Sequence, residues 1–226
     1  YMSPSHWVTY EQAARERGIE VTAEAMAAAG VDKSWERWRT PLGVAHLDAS
    51  ASEAAFREVR VEIAMDRIRA AALGADEQAL RAAGERAADL EGEPGRYHLY
   101  DDTRPALERL AAEDVRAIVI SNHLWPLPQI VEGLGLGGLI AGVVSSARCG
   151  YRKPHPEIYR LALEQACTPA GEALMVGDNI AADVDGAESA GMYAVLLDRS
   201  GGVPAPPTPP DVRVVRSLLE VPLTWP

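Results

Sequence analysis

LMVGDNIAAD, residues 174–183, decides how this chain is read. An apolar run stops abruptly at Gly177 and Asp178, and a second carboxylate, Asp183, follows five residues later. A short continuous apolar run bounded by glycine is the pattern of a strand covered on both faces. The pattern recurs along the second half of the chain: VRAIVIS (115–121), IAGVVSS (140–146), ALMVGD (173–178) and YAVLLD (193–198) all read as buried strands. Helical patterns alternate with them: TRPALERLAAED (103–114), WPLPQIVEGLGL (125–136), PEIYRLALEQAC (156–167) and AADVDGAESAG (181–191). This alternation predicts an α/β fold, a doubly wound, Rossmann-like parallel sheet over residues 94–226. GGVPAPPTPPD (201–211) reads as a Pro-rich surface connection, and VRVVRSLLEV (212–221) adds a last strand and a helical turn.

Residues 1–93 have a different rhythm and are expected to form a separate, all-helical domain. HWVTYEQAARERG (6–18) follows Ser5, a candidate N-cap, and ends at Gly18, a candidate helix stop. TAEAMAAAGVDKSWERWRT (22–40) is interrupted by Gly30 and reads as two short helices. In ASEAAFREVRVEIAMDRIRAAALG (51–74), Phe56, Val59, Ile63 and Ile68 recur at helical spacing, and ADEQALRAAGERAADLEG (75–92) closes the set. No strand is predicted here. Trp35 and Trp38 are expected to pack on a neighbouring helix. His6, Trp7, Tyr10 and Trp38 are the candidates for substrate contact.

Composition narrows the function. With 226 residues, 47% of them apolar, the chain can bury a sizeable core. A formal charge of −11 disfavours nucleic acid and anionic membranes as partners. No run approaches the ~18 apolar residues of a membrane-spanning helix, and no secretory leader is visible. Cys149 and Cys167 lack metal-type spacing and read as reduced thiols of a cytoplasmic protein.

Ligands of open parallel sheets bind at the carboxyl ends of the strands. There the chain offers Ser121 and Asn122 after one strand, Lys153 in the loop after the next, and Asp178 after a third. A hydroxyl and backbone N–H groups can hold phosphate oxygens, and a lysine neutralises them. A strand-end carboxylate suits Mg²⁺, which takes oxygen ligands and bridges to phosphate. Asp183 has two readings, orienting the lysine or orienting a metal-bound water. Plainer readings exist for each residue: Ser121-Asn122 as a turn, Asp178 as a helix cap, Lys153 as a solvated charge, Asp185 as an exposed helical acid. Their ordered combination at successive strand ends is more specific than any one of them.

VISN (119–122), GYRKPHPEIY (150–159) and VGDNIAADVDGAESAGM (176–192) together resemble motifs two, three and four of the haloacid dehalogenase superfamily of hydrolases. The resemblance covers residues 95–200, and SNHLWPLPQIVEGLGL (121–136) looks most like the branch with an all-helical cap, here the first domain. It implies that Ser121 binds the transferring phosphoryl group and that Asn122 lines the same pocket. It further implies that Lys153 stabilises phosphate and attacking carboxylate, and that Asp178 ligates Mg²⁺ with Asp183 in support. The substrate would be a small phosphorylated metabolite. The superfamily also contains metal-independent 2-haloacid dehalogenases; these usually lack the Gly-Asp form of the fourth motif, so GDNIAAD favours the phosphatase.

The family's first motif, an apolar strand ending in Asp-x-Asp-x-Thr, has no counterpart here. Its first Asp is the nucleophile and its second the general acid/base. DVD (183–185) lies at a helix start, and YDDT (100–103) has adjacent acids with no strong apolar strand before it. In the family that strand lies between those at 115–120 and 173–177, and its loss would leave backbone groups unpaired at about 1–3 kcal/mol each. Three readings follow. The chain is an incomplete copy of an ordinary phosphatase; or a replacement strand, VRVV (212–215) or one from a partner, fills the place; or this is a degenerate member that binds without turnover. A chain opening with Tyr1 favours the first, and Met2 read as an initiator favours the others.

Overall fold

The structure is a computed structural model and describes residues 6–29, 39–40, 43–44, 52–199 and 212–224. In chain order the elements are α1 (His6–Arg15), α2 (Ala23–Ala28), β1 (Arg39–Thr40), β2 (Gly43–Val44), α3 (Glu53–Ala71), α4 (Glu77–Gly92), α5 (Thr103–Ala112) and β3 (Ile118–Ser121). They continue as α6 (Leu127–Gly133), β4 (Gly142–Ser145), α7 (Ser146–Cys149), α8 (Pro156–Ala166), β5 (Leu174–Gly177), a π-helical turn (Ile180–Asp185), α9 (Gly186–Ser189), β6 (Tyr193–Leu197) and β7 (Arg213–Val215). Two compact units divide the chain: Tyr1–His98 with Leu124–Leu134, and Leu99–His123 with Gly135–Pro226.

The first unit is built on α1, α3 and α4. Side-chain caps start three of its helices: Thr22 accepts from the Ala25 N–H, Ser52 from Ala55 and Asp76 from Ala79. Each such cap is worth about 1 kcal/mol. Past α1 the chain turns at Gly18, whose φ of 74° needs a residue without Cβ. Tyr10, Ala13 and Ala14 of α1 meet Val61, Ala64, Met65 and Ile68 of α3 and Leu80, Ala83, Ala87 and Leu90 of α4 in one buried cluster. β1 and β2 form a short antiparallel pair where no strand was expected, because two residues are too few for alternation to show. Ser5, Gly30, Trp35, Trp38 and the Pro-rich stretch 201–211 lie outside the described residues.

A polar cluster lies inside this apolar unit. Arg60 donates to both carboxylate oxygens of Glu91, at 2.9 and 2.5 Å, and to the Tyr10 hydroxyl at 3.0 Å. The Tyr10 hydroxyl donates to Glu91 Oε1 and also accepts from Arg67 Nη1. The Arg67 guanidinium lies 5.0 Å from the centre of the Trp7 ring and 5.4 Å from that of Tyr10. Tyr10, a candidate for substrate contact from the sequence, is fully buried and committed to this cluster. Burial pushes its hydroxyl pKa up to about 12; Arg60 and Arg67 oppose that rise and Glu91 adds to it.

The second unit carries the parallel strands. β3 pairs β4 with Ser121 opposite Ser145, β5 pairs β6 with Gly177 opposite Leu196, and β6 pairs β7. The sheet is in two pieces, β3-β4 and β5-β6-β7. Among the described residues, β3 and β5 each have a strand partner on one side only. Buried side chains of β4, α8, β5 and α9 nevertheless share one apolar cluster, with Ile118 and Ile120 of β3 packed against it. β7 corrects one expectation: VRVV pairs with β6 and so does not stand between β3 and β5.

Asp102 ties the start of α5 to the end of the chain. Its carboxylate accepts two hydrogen bonds from Arg199, both at 2.9 Å, and one each from the Ser217 hydroxyl and the Leu218 N–H. Arg199 in turn lies 4.0 Å from the centre of the Tyr100 ring. This pairing engages both Asp102 oxygens in bonds that hold the fold together. Burial alone would raise its pKa, but Arg199, Leu218 and Ser217 together hold it down to about 2. A carboxyl with a depressed folded pKa contributes stability above its unfolded value and loses it as pH falls. We expect about 1–2 kcal/mol from Asp102 above roughly pH 4, lost as pH falls toward its folded value. Urea titrations between pH 7 and 3 should show that decline, and Asp102→Asn should flatten it.

Candidate active site

Lys153 lies between α7 and α8, and its side chain is only 10% exposed. Its ammonium donates to Asp183 Oδ1 at 2.5 Å and to the Ile120 carbonyl at 3.1 Å. Asp183 is 5% exposed by side chain, and its Oδ2 accepts from the Asn179 N–H at 2.9 Å. The helix expected over 181–191 therefore opens as a π-helical turn. Local side-chain bonds compete there with the regular ladder: Asn179 Oδ1 caps the Ala182 N–H at 2.8 Å while Asp183 reaches back to Asn179.

Glycine at 177 makes this possible. A Cβ there would lie 2.2 Å from Asp183 Cγ and Oδ2. Gly177→Ala is expected to cost about 1–3 kcal/mol in urea denaturation as an overpacked site. An unchanged midpoint would show that Asp183 can move aside freely. On the other flank Tyr159, fully buried, donates from its hydroxyl to the Ala182 carbonyl. Burial, then the negative charge of Asp183, push the Tyr159 pKa upward. The glycine, Tyr159 and the Ile120 carbonyl were not singled out from the sequence; only the Gly-Asp dipeptide hinted at the first.

Asn122 faces the backbone of Lys153. Its Nδ2 donates to the Lys153 carbonyl at 3.0 Å, and its Oδ1 accepts from the Lys153 N–H at 2.7 Å. The next carbonyl, His123, accepts from the hydroxyls of Ser145 and Ser146 at 3.0 and 3.3 Å. The structure thus brings Asn122, Lys153 and Asp183 together at the ends of β3 and β5. Among the described residues, neither the Ser121 hydroxyl nor the Asp178 carboxylate bonds to Lys153. Ser121 ends β3 half-buried, and Asp178 is exposed just past β5. The helix cap is Asn179 rather than Asp178, which leaves the Asp178 carboxylate without a protein partner among the described residues. Asp185 is exposed. No group of three or more His, Cys, Asp or Glu among the described residues is placed to hold a metal. Cys149 and Cys167 are free thiols.

Residues 9–191 match the haloacid dehalogenase-like hydrolase family. The chain belongs to this family. It is 33% identical over 204 residues to the phosphoserine phosphatase of Thermus thermophilus, covering 88% of this chain and 76% of that one. It is 36% identical over 104 residues to the ribulose-1,5-bisphosphate 5-phosphatase of Halopiger xanaduensis, covering 45% of this chain and 43% of that protein's length. Among solved structures it is similar in fold to the 2-haloacid dehalogenase of Pseudomonas syringae, with a TM-score of 0.64 at 22% identity over 96% of this chain and 90% of that one. The family is one of hydrolases, and the relatives of this chain include phosphatases. No helix among the described residues is long and apolar enough to cross a membrane.

Proposed function

We propose that this protein is a Mg²⁺-dependent phosphohydrolase acting on a small phosphate monoester. The observation that carries the reading is the Lys153 ammonium. It is buried and held by two acceptors, Asp183 and the Ile120 carbonyl. An ammonium has three donors, so one N–H remains for a phosphoryl oxygen. The Ser121 hydroxyl, one residue beyond Ile120, is proposed to donate to the same group. The phosphatases among the relatives support this chemistry over halide release.

Mg²⁺ is commonly held by one or two carboxylates, completing its shell with waters and phosphate oxygens. The carboxylate of Asp178, without a partner among the described residues, suits that need, and Asp183, occupied by Lys153 and Asn179, does not. Bound at Asp178, the ion would neutralise charge on the phosphoryl oxygens. The attacking group is proposed to be a carboxylate from a strand that fills the place between β3 and β5. Two features support this: the sheet is in two pieces, and no apolar strand of this sequence ends in Asp-x-Asp. The 226 residues alone would then bind phosphate without turning it over.

The test is hydrolysis of p-nitrophenyl phosphate with Mg²⁺, by these residues alone and by any longer protein that the same gene encodes. Activity in the second only is expected. Activity in the first would remove the external nucleophile, and none in either would overturn the phosphohydrolase. In the active protein, Asp178→Asn should raise the Mg²⁺ concentration for half-activation by about 10- to 100-fold. An unchanged requirement would remove Asp178 as the ligand.

A further inference from the structure

We infer that Asn122 is a positioning residue for Lys153, acting through the lysine's own peptide group and not on the substrate. Both polar atoms of its amide are engaged there: Oδ1 accepts from the Lys153 N–H at 2.7 Å, and Nδ2 donates to the Lys153 carbonyl at 3.0 Å. This amide-to-peptide pair reproduces what a neighbouring strand would supply, and it joins the Lys153 loop to the residue just past β3. The far end of the same side chain returns to β3, where the ammonium donates to the Ile120 carbonyl at 3.1 Å. Lys153 is therefore fastened to one short segment, Ile120–Asn122, at both ends of its methylene stem.

The arrangement has a purpose that a loose lysine would not serve. A free lysine loses much rotamer freedom when it binds a ligand. With backbone and ammonium both held, that ordering is already complete before substrate arrives. The ion pair with Asp183 fixes the ammonium from the β5 side, and Asn122 fixes the main chain from the β3 side. Asn122 lies among the residues expected to line a phosphate pocket, so direct contact with substrate is the competing assignment.

The inference rests on the phosphohydrolase reading for its kinetic readout only. In the active protein, Asn122→Ala should lower kcat/KM for p-nitrophenyl phosphate by about 10- to 100-fold, the scale of a small misplacement of a charged group. Lys153→Met should lower it further. The decisive comparison is the double variant. A residue that acts only through Lys153 adds nothing once the ammonium is gone, so the double variant should match Lys153→Met alone. Multiplied losses would overturn the inference and assign Asn122 to the substrate. Asn122→Asp keeps the acceptor for the Lys153 N–H and loses the donor. It should fall between wild type and Asn122→Ala, and it guards against a misfolded alanine variant. Hydrogen exchange at the Lys153 amide reads the same clamp without turnover: protection should fall in Asn122→Ala, and unchanged protection would overturn the inference. An inactive wild type with lost protection in the variant would sink the phosphohydrolase reading while leaving the clamp standing.

Discussion

Replacing Lys153 by methionine is expected to cost about 3–5 kcal/mol of stability and to lower kcat/KM by about 100- to 1,000-fold. The stability loss comes from what is left behind. Asp183 is 5% exposed by side chain, and without the ammonium its charge keeps, among the described residues, only the Asn179 N–H. Removing one member of a buried pair leaves the other desolvated and uncompensated, whereas replacing both by apolar groups is often close to neutral. The double variant Lys153→Met/Asp183→Leu should therefore recover most of the lost stability in urea and remain inactive. The expected activity loss has a different origin in the proposed function, the missing N–H and positive charge at the phosphoryl oxygens. A single variant that unfolds at the wild-type urea midpoint would show that the pair contributes nothing. A double variant that regains activity would remove Lys153 from the chemistry.

The second large effect is expected in the helical unit. Arg60 and Glu91 are each 9% exposed by side chain and form a two-pronged pair between α3 and α4. Arg60→Met should cost about 3–5 kcal/mol, since the Glu91 carboxylate keeps the Tyr10 hydroxyl but loses its cation. Urea denaturation followed by circular dichroism measures it. The Tyr10 hydroxyl adds a pH signature. Its folded pKa of about 12 stands above the ordinary tyrosine value, so its contribution is present in full below about pH 10 and is lost as pH rises through the folded value. Tyr10→Phe should remove that alkaline decline. Persistence of the decline in the phenylalanine variant would assign it to another group.

The parts of this protein legible in the sequence are those fixed by period and punctuation. The strands at 118–121, 142–145, 174–177 and 193–197 fall inside the apolar runs that predicted them, whereas the caps Thr22, Ser52 and Asp76 were not among the expectations. The π-helical turn at 180–185 was not legible, because it depends on a carboxylate four residues on reaching back to Asn179. Local periodicity carries no trace of such a contact. Tyr10 misled for a related reason: an aromatic residue on a helix has the same spacing whether it faces a ligand or two guanidinium groups. Lys153 and Asp183 were named as candidates, with orienting the lysine as one of two readings of Asp183, whereas the peptide clamp of Asn122 is a product of tertiary structure with no trace in the local pattern. The place of VRVV beyond β6 is likewise a matter of sheet order, which composition does not encode.

The one-sided pairing of β3 and β5 among the described residues has a consequence for handling the molecule. A strand with an open flank offers a row of amide donors and carbonyl acceptors to any extended chain that reaches it. Neighbouring molecules in a concentrated solution can answer that invitation. Preparations of these residues by themselves should thus aggregate through edge-to-edge association, and a short apolar peptide that caps the open flank should keep them dispersed.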